Sequence, residues 1–369
     1  MNMSRRAGLG LAAATALAGL PCMPRGSARA QPALQKLRYG FLDKAVSPDI
    51  LNLVIPEQLG FYREEGISIE AIPLGSSPAV LASIAQGRID FGLGVPSFLV
   101  PTVAAGQTLP MVNFFEHTYP FKWDMAVLPG SPYQSIPDLK GKRIGVSSLA
   151  QSTYPVGRAI LALEGIDPDR DVTWLAVGEG VAAGLALTHD QVDGLFYFDT
   201  GFGTIDEAGI KLRLLPRPAK VPDVGGLYLG ATPAFLRDHR DWAVGFARGV
   251  AKAAVFARAN PEAAAWAFIQ LYPEAAPKGK SPEEQVRAIL GPLSRRIKLY
   301  ASYNPAVTQW GWIDPAEWVE EVKFAHVEAK IPDPSTFYTD DLIADINRFD
   351  AAAIKAQALS YPLPFRKSG

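Results

Sequence analysis

Strand-like and helix-like segments alternate along this chain at a spacing that permits few architectures. Residues 37–41 (LRYGF) read as a strand, 53–65 as a helix ended by Gly66, and 67–72 (ISIEAI) as a strand alternating apolar and polar. A helix over about 78–86 and a strand at 89–93 follow. The pattern then repeats, with a strand at 142–147 (KRIGVS), a helix over 154–164 stopped by Gly165 and a strand at 171–177. Gly178-Glu179-Gly180 opens an Ala-rich helix, and a strand at 192–198 closes the series. Strands and helices alternating in this way predict mostly parallel sheets flanked by helices.

The two parts align with each other. At an offset of 103, Gly75 falls on Gly178, Ile84 on Leu187, Ile89 on Val192 and Asp90 on Asp193. At an offset of 105, Tyr39-Gly40-Phe41 lies over Ile144-Gly145-Val146. Short amphipathic segments also match by chance, but the bolder reading is two α/β lobes of like topology. The rest is predicted helical: 241–258, with Trp242, Phe246, Val250 and Ala254 on one face, then 262–271, a helix capped by Ser281, 318–329 and 339–351.

The N-terminus stands apart. Ser4-Arg5-Arg6 precedes an apolar run from Ala7 to Leu20, and Ala28-Arg29-Ala30 offers a small-x-small cleavage site. That is the pattern of an export signal over 1–30, removed near Ala30, and the Arg pair gives it the look of a twin-arginine signal. The run is too short to span a membrane. Cys22, the one cysteine, lies inside this segment, so the mature chain is expected to hold no thiol and no disulfide. Loss of Arg5, Arg6, Arg25 and Arg29 takes the net charge from −1 to −5. A mildly acidic chain without like-charge runs is unsuited to nucleic acid or an anionic membrane surface.

Chemistry for catalysis is sparse. His117, His189, His239 and His326 lack metal-ligand spacing, no nucleophile elbow or phosphate loop is present, and Gly92-Leu93-Gly94 lacks the third glycine of a dinucleotide fingerprint. The expectation is a binding protein, without metal or cofactor. Ligands of open parallel sheets sit at the carboxyl ends of the strands. The loops there hold Asp43 and Lys44, then Gly75, Ser76 and Ser77, then Pro96 and Ser97. In the second part they hold Ser147, Ser148, Gln151, Ser152, Thr153 and Tyr154, then Glu179, then Tyr197 and Asp199. Helix N-termini with hydroxyls suit an oxygen-rich group, although each Ser is equally explained as a helix cap. Phe121, Trp123, Tyr154, Tyr197 and Phe198 supply surfaces for a planar or aliphatic body. His117 is either a ligand donor or a structural histidine. Lys44 and Lys122 are the candidate cations, and no Arg stands in a predicted cleft loop.

Three stretches carry a resemblance: LGFYREEGISIE (59–70), ASIAQGRIDFGLG (82–94) and IPDLKGKRIGV (136–146). They resemble the periplasmic substrate-binding proteins of ABC importers, in the group that binds nitrate, sulfonates, taurine and hydroxymethylpyrimidine precursors. The resemblance runs from about Leu37 to Phe349. It implies a two-lobed, type II-like periplasmic-binding-protein fold with a helical C-terminal part. Lobe one would comprise 36–125 and 226–345, lobe two 126–225, and 346–369 a C-terminal tail. The chain would cross near 123–128 and return near 225–230. The implied function is an exported monomer that closes on a small organic ligand and delivers it to an ABC permease. A neutral or monoanionic ligand is expected, such as a heteroaromatic, a sulfonate or a carboxylate. Two alternatives remain, a ligand-sensing partner of a signalling receptor and a pyrimidine-biosynthesis-type enzyme. The enzymes on this scaffold carry a Cys-rich motif that the mature chain would lack.

Overall fold

A computed structural model describes residues 33–300 and 306–366. The expected export signal lies outside the described residues. In chain order the first part comprises β1 (Gln35–Phe41), α1 (Leu51–Leu59), α2 (Phe61–Glu64), β2 (Ile67–Pro73), α3 (Ser77–Ala85), β3 (Phe91–Gly94), α4 (Pro96–Ala104) and β4 (Val112–Thr118). The second comprises β5 (Trp123–Val127), β6 (Arg143–Val146), α5 (Thr153–Leu163), β7 (Thr173–Ala176), α6 (Val181–Thr188), β8 (Gly194–Phe198), α7 (Asp199–Glu207) and β9 (Arg213–Leu214). The chain returns through β10 (Leu227–Ala231) to a helical part. This holds α8 (Pro233–Asp238), α9 (Arg240–Ala259), α10 (Pro261–Leu271), α11 (Pro282–Arg296), α12 (Pro315–Phe324), α13 (Ile343–Ile346) and α14 (Ala351–Leu359).

The strands form two five-stranded sheets, ordered β2-β1-β3-β10-β4 and β7-β6-β8-β5-β9. In each, the first three strands are parallel, and the fourth is antiparallel to both neighbours. The like topology extends to side chains. Arg38 grips Asp90 through Nε (3.2 Å) and Nη2 (3.0 Å), and Arg143 grips Asp193 through Nε (3.0 Å) and Nη2 (3.1 Å). Each Arg also donates to a backbone carbonyl at the preceding turn, that of Gly87 or Asp190, and both of those residues have positive φ. One device therefore ties β1 to the start of β3 and β6 to the start of β8.

Departures from the expected elements have local causes. The helix expected over 53–65 is two helices, because Gly60 between them takes a left-handed conformation at φ +82°. Within 339–351 only the short α13 forms. The next helix starts at Ala351, where the Asp350 side chain caps the amides of Ala352 and Ala353. The expected tail over 346–369 is packed structure as far as it is described. Ile354 and Ala358 of α14 are buried, and Asn260 Nδ2 donates to the Ala358 carbonyl at 2.9 Å. The passage out of the first sheet lies at 119–122 rather than at 123–128, because Trp123 to Ala126 are already paired with β8.

The core behind the first sheet is built on α9. Phe246 stacks on Phe91 with ring centroids 4.3 Å apart and touches Tyr39 and Tyr62. Among the described residues no helix is long and apolar enough to cross a membrane.

Candidate functional site

The carboxyl edges of the two sheets meet at a seam, and a buried ion network crosses it. Arg296, at the end of α11, is fully buried. It donates through Nε to Asp199 Oδ2 and through Nη2 to Asp199 Oδ1, both at 2.7 Å. It also donates through Nη1 to the Asp49 carbonyl at 2.7 Å, and through Nη2 to Asp49 Oδ1. Asp49 follows β1, whereas Asp199 opens α7 after β8, so one guanidinium ties the two edges together. Thr200 Oγ1 donates to Asp49 Oδ1 at 2.8 Å, and Lys122 Nζ lies 3.7 Å from the same oxygen. Burial pushes the Asp49 carboxyl up, but Arg296, Lys122 and Thr200 together hold it well below its ordinary value. Burial also lowers the Lys122 ammonium, with Asp49 opposing the shift.

Arg296 reaches the seam because α7 and α11 pack backbone to backbone. A Cβ on Gly203 would stand 2.5 Å from Pro292 Cα and 2.8 Å from Pro292 N. Gly203→Ala should therefore destabilise the protein by about 1–3 kcal/mol through overpacking, although alanine is the better helix former by about 1 kcal/mol. Urea denaturation decides this. A gain in stability would mean that the two helices do not need this approach.

Three cavities line up along the seam. The central one is about 20 Å³, room for a single water, between Asp43, Lys122, Trp123, Gln151, Thr153 and Phe198. Trp123 separates it from an apolar cavity of about 320 Å³ between α4, α5 and α12. Asp43 and Phe198 separate it from a cavity of about 600 Å³ between the β1–α1 loop, the start of α6, α7 and α11. The latter two volumes lie in the range of small-molecule sites. Lys122 Nζ stands 5.4 Å from the ring centres of both Trp123 and Phe198, a cation between two aromatic faces.

The structure divides the residues singled out in the sequence. Asp43, Trp123, Gln151, Ser152 and Thr153 line the central cavity, Pro96 and Ser97 the apolar one, and Glu179 the largest. Asp43 is 9% exposed, and its Oδ2 has no hydrogen-bond partner. Burial raises its carboxyl well above the usual range, and the charges of Asp49 and Glu179 add to the shift. Gln151 spans the seam, donating to the Leu42 carbonyl at 3.1 Å and to Glu179 Oε1 at 2.8 Å. Ser147 bonds Gln151 Oε1 and, at 2.8 Å, Thr153 Oγ1, and so braces the loop from beneath.

Others stand away from the cavities. Lys44 is exposed, and Gly75 donates its amide to the Asp43 carbonyl at 3.1 Å. Ser76 caps α3 by accepting from the Ala79 amide, and Ser77 is buried, so the 75–77 turn serves the helix rather than a cavity. Ser148 accepts from the Ala150 amide. Tyr154 packs edge-on against Trp174 and accepts from Arg158. Tyr197 is fully buried and clasps the β7–α6 loop, accepting from the Gly180 amide and donating to the Gly178 carbonyl. Asp199 belongs to Arg296. His117, on edge strand β4 of the first sheet, has Nε2 2.8 Å from Asn52 Oδ1, and burial lowers its pKa well below the ordinary value. It lines none of the three cavities.

Asp49, Thr200 and Arg296 escaped the sequence reading. Ser47-Pro48-Asp49 looks like any helix start, and nothing in the chain links it to an arginine 247 residues away.

Comparison with known proteins agrees with this architecture. The family model described as "NMT1/THI5 like" matches residues 47–264, more than half of the chain. A curated relative, 4-amino-5-hydroxymethyl-2-methylpyrimidine phosphate synthase of Legionella pneumophila, is 25% identical over 163 residues. That match spans 44% of this chain and 48% of the relative, so the chain covers about half the length of that protein. The alkanesulfonate-binding protein SsuA from Xanthomonas axonopodis superposes with a TM-score of 0.58 at 18% identity, over 86% of this chain and 98% of that one. The nitrate-binding protein NrtA from Synechocystis superposes with a TM-score of 0.55 at 14% identity, over 90% and 92%. The two mixed sheets with a helical C-terminal part are thus the periplasmic-binding-protein fold, and the chain belongs to the NMT1/THI5-like family.

Proposed function

We propose that this protein is an exported solute-binding protein that captures a small organic molecule in the seam between two lobes and hands it to an ABC permease. The lobes are built on the two sheets, with 119–122 and 215–226 as the passages between them. The observation that carries the reading is the row of cavities at the carboxyl edges, each walled from both sheets. Capture follows from that geometry. A ligand touching Asp43 on one side and Thr153 or Phe198 on the other favours the closed lobes by the difference in its affinity for the two forms. A ligand held by one lobe alone would bind without closing the protein.

Both larger cavities have carbon-rich walls, Phe121, Trp123 and Phe324 in one and Val46, Val181 and Ile289 in the other, which suits a ligand with a carbon body. The pyrimidine-synthase name belongs to a relative matched over half its length, and turnover of a bound compound would favour that reading instead. Native mass spectrometry of freshly purified protein, followed by thermal-shift screening, identifies the ligand. Hydrogen exchange should then show protection at the loops of both sheets, and Phe198→Ala, which alters the wall of both the central and the largest cavity, should weaken binding at least tenfold. Protection confined to one sheet's loops would overturn closure.

A further inference from the structure

The largest of the three cavities has a one-sided charge. Asp43, Glu179 and Glu207 line it, from the β1–α1 loop, the β7–α6 loop and the end of α7, and no Lys, Arg or His does. The buried basic groups close by are committed elsewhere, and Lys44 beside Asp43 is exposed. Arg296 is held between Asp49 and Asp199, and Lys122 lies against Asp49 and two aromatic rings. Much of the remaining wall is apolar, including Val46, Val181, Phe198 and Ile289. Asp43 adds an independent sign of a ligand, being more than nine-tenths buried with Oδ2 unpartnered.

We propose that this chamber binds a small organic cation, with an ammonium or amidinium head at Asp43 and Glu179, Glu207 at the rim and a carbon body along the apolar wall. The inference rests on the solute-binding reading above and names the substrate class for it. It departs from the neutral or monoanionic ligand expected from the loops alone. A sulfonate or nitrate here would meet three carboxyl groups and no counter-charge from the lining. A cation meets acceptors that form charge-assisted hydrogen bonds. A bare metal ion suits the chamber less well. Among the described residues no group of three His, Cys, Asp or Glu side chains is placed to hold one.

The test uses the full mature protein in titration calorimetry and thermal-shift assays. Choline, agmatine and putrescine form the cation arm, and methanesulfonate, nitrate and benzoate the anion arm. The expected result is binding in the cation arm only. Asp43→Asn should weaken that binding at least tenfold, and Glu207→Gln, on the rim, about threefold. Glu179→Gln serves as a second interior variant should Asp43→Asn fold poorly. Binding in the anion arm alone, or cation affinity unchanged in all the folded variants, overturns the cation assignment and leaves solute capture standing. If both arms are silent and native mass spectrometry finds no small molecule retained from the expression host, the solute-binding reading fails with it.

Discussion

Arg296→Met is expected to destabilise the protein by about 3–5 kcal/mol, the usual cost of leaving buried carboxylates without their partner. The side chain is fully buried and serves Asp49 on the first-sheet edge and Asp199 on the second. Its removal strands Asp199, whereas Asp49 keeps Lys122 at 3.7 Å and the Thr200 hydroxyl. Methionine fills much of the volume, so the loss reports charge rather than a cavity. Adding Asp49→Asn and Asp199→Asn should recover a large part of it, because what is expensive is the unpaired charge and not the absence of the ion pair. Guanidinium denaturation measures the series. A single-variant loss under 1 kcal/mol would show that water reaches the network and that the seam is not held there. At equal stability, hydrogen exchange in the triple variant should rise first at the 42–50 and 199–207 segments, which the arginine ties.

A second large effect concerns pH. Glu317 on α12 is fully buried, and burial pushes its carboxyl up to about 8, with the Gly225 amide and the Glu116 carboxyl opposing the shift. Glu321, one turn on, is pushed well above its ordinary value by burial and then by the charge of Glu317. A carboxyl raised in the folded state is neutral there but ionised in the unfolded chain over the interval between the two pKa values. Unfolding then releases a proton, and stability falls as pH rises from about 4.5 through about 8. The shift in Glu317 corresponds to a loss of about 3–5 kcal/mol across that window. Glu317→Gln should flatten the profile and leave the variant more stable than the parent at pH 9. Parallel pH profiles for the two proteins would refute a neutral Glu317. Glu321 and Gly225 both line the apolar cavity, so the same titration would place charge beside the site.

How far the chain could be read in advance differs between scaffold and site. The alternation of strands and helices, and the alignment of Asp90 on Asp193, were visible as local pattern. Both describe the two sheets and their matching Arg–Asp clamps. The antiparallel strands were harder to place. No pattern in the sequence marks β4, and β5 falls where a crossing segment is expected although it is a buried strand in the second sheet. Among the loops, Gln151, Ser152 and Thr153 line the central cavity, whereas Ser76 caps α3. A serine before a helix looks the same whether its oxygen serves an amide or a ligand, so composition cannot separate the two cases.

What the sequence determined by itself was the alternating parallel strands with their helices and the duplication of that series, because hydrophobic period and turn residues act over a few positions. The electrostatics of the seam were decided only by tertiary structure. Arg296 sits 247 residues from Asp49, and it arrives there because glycine lets α7 approach α11 without a side chain between them. Charges far apart in a chain have no pattern that links them until packing brings them together. Which cavity is apolar and which is acidic is therefore a property of the fold and not of any segment.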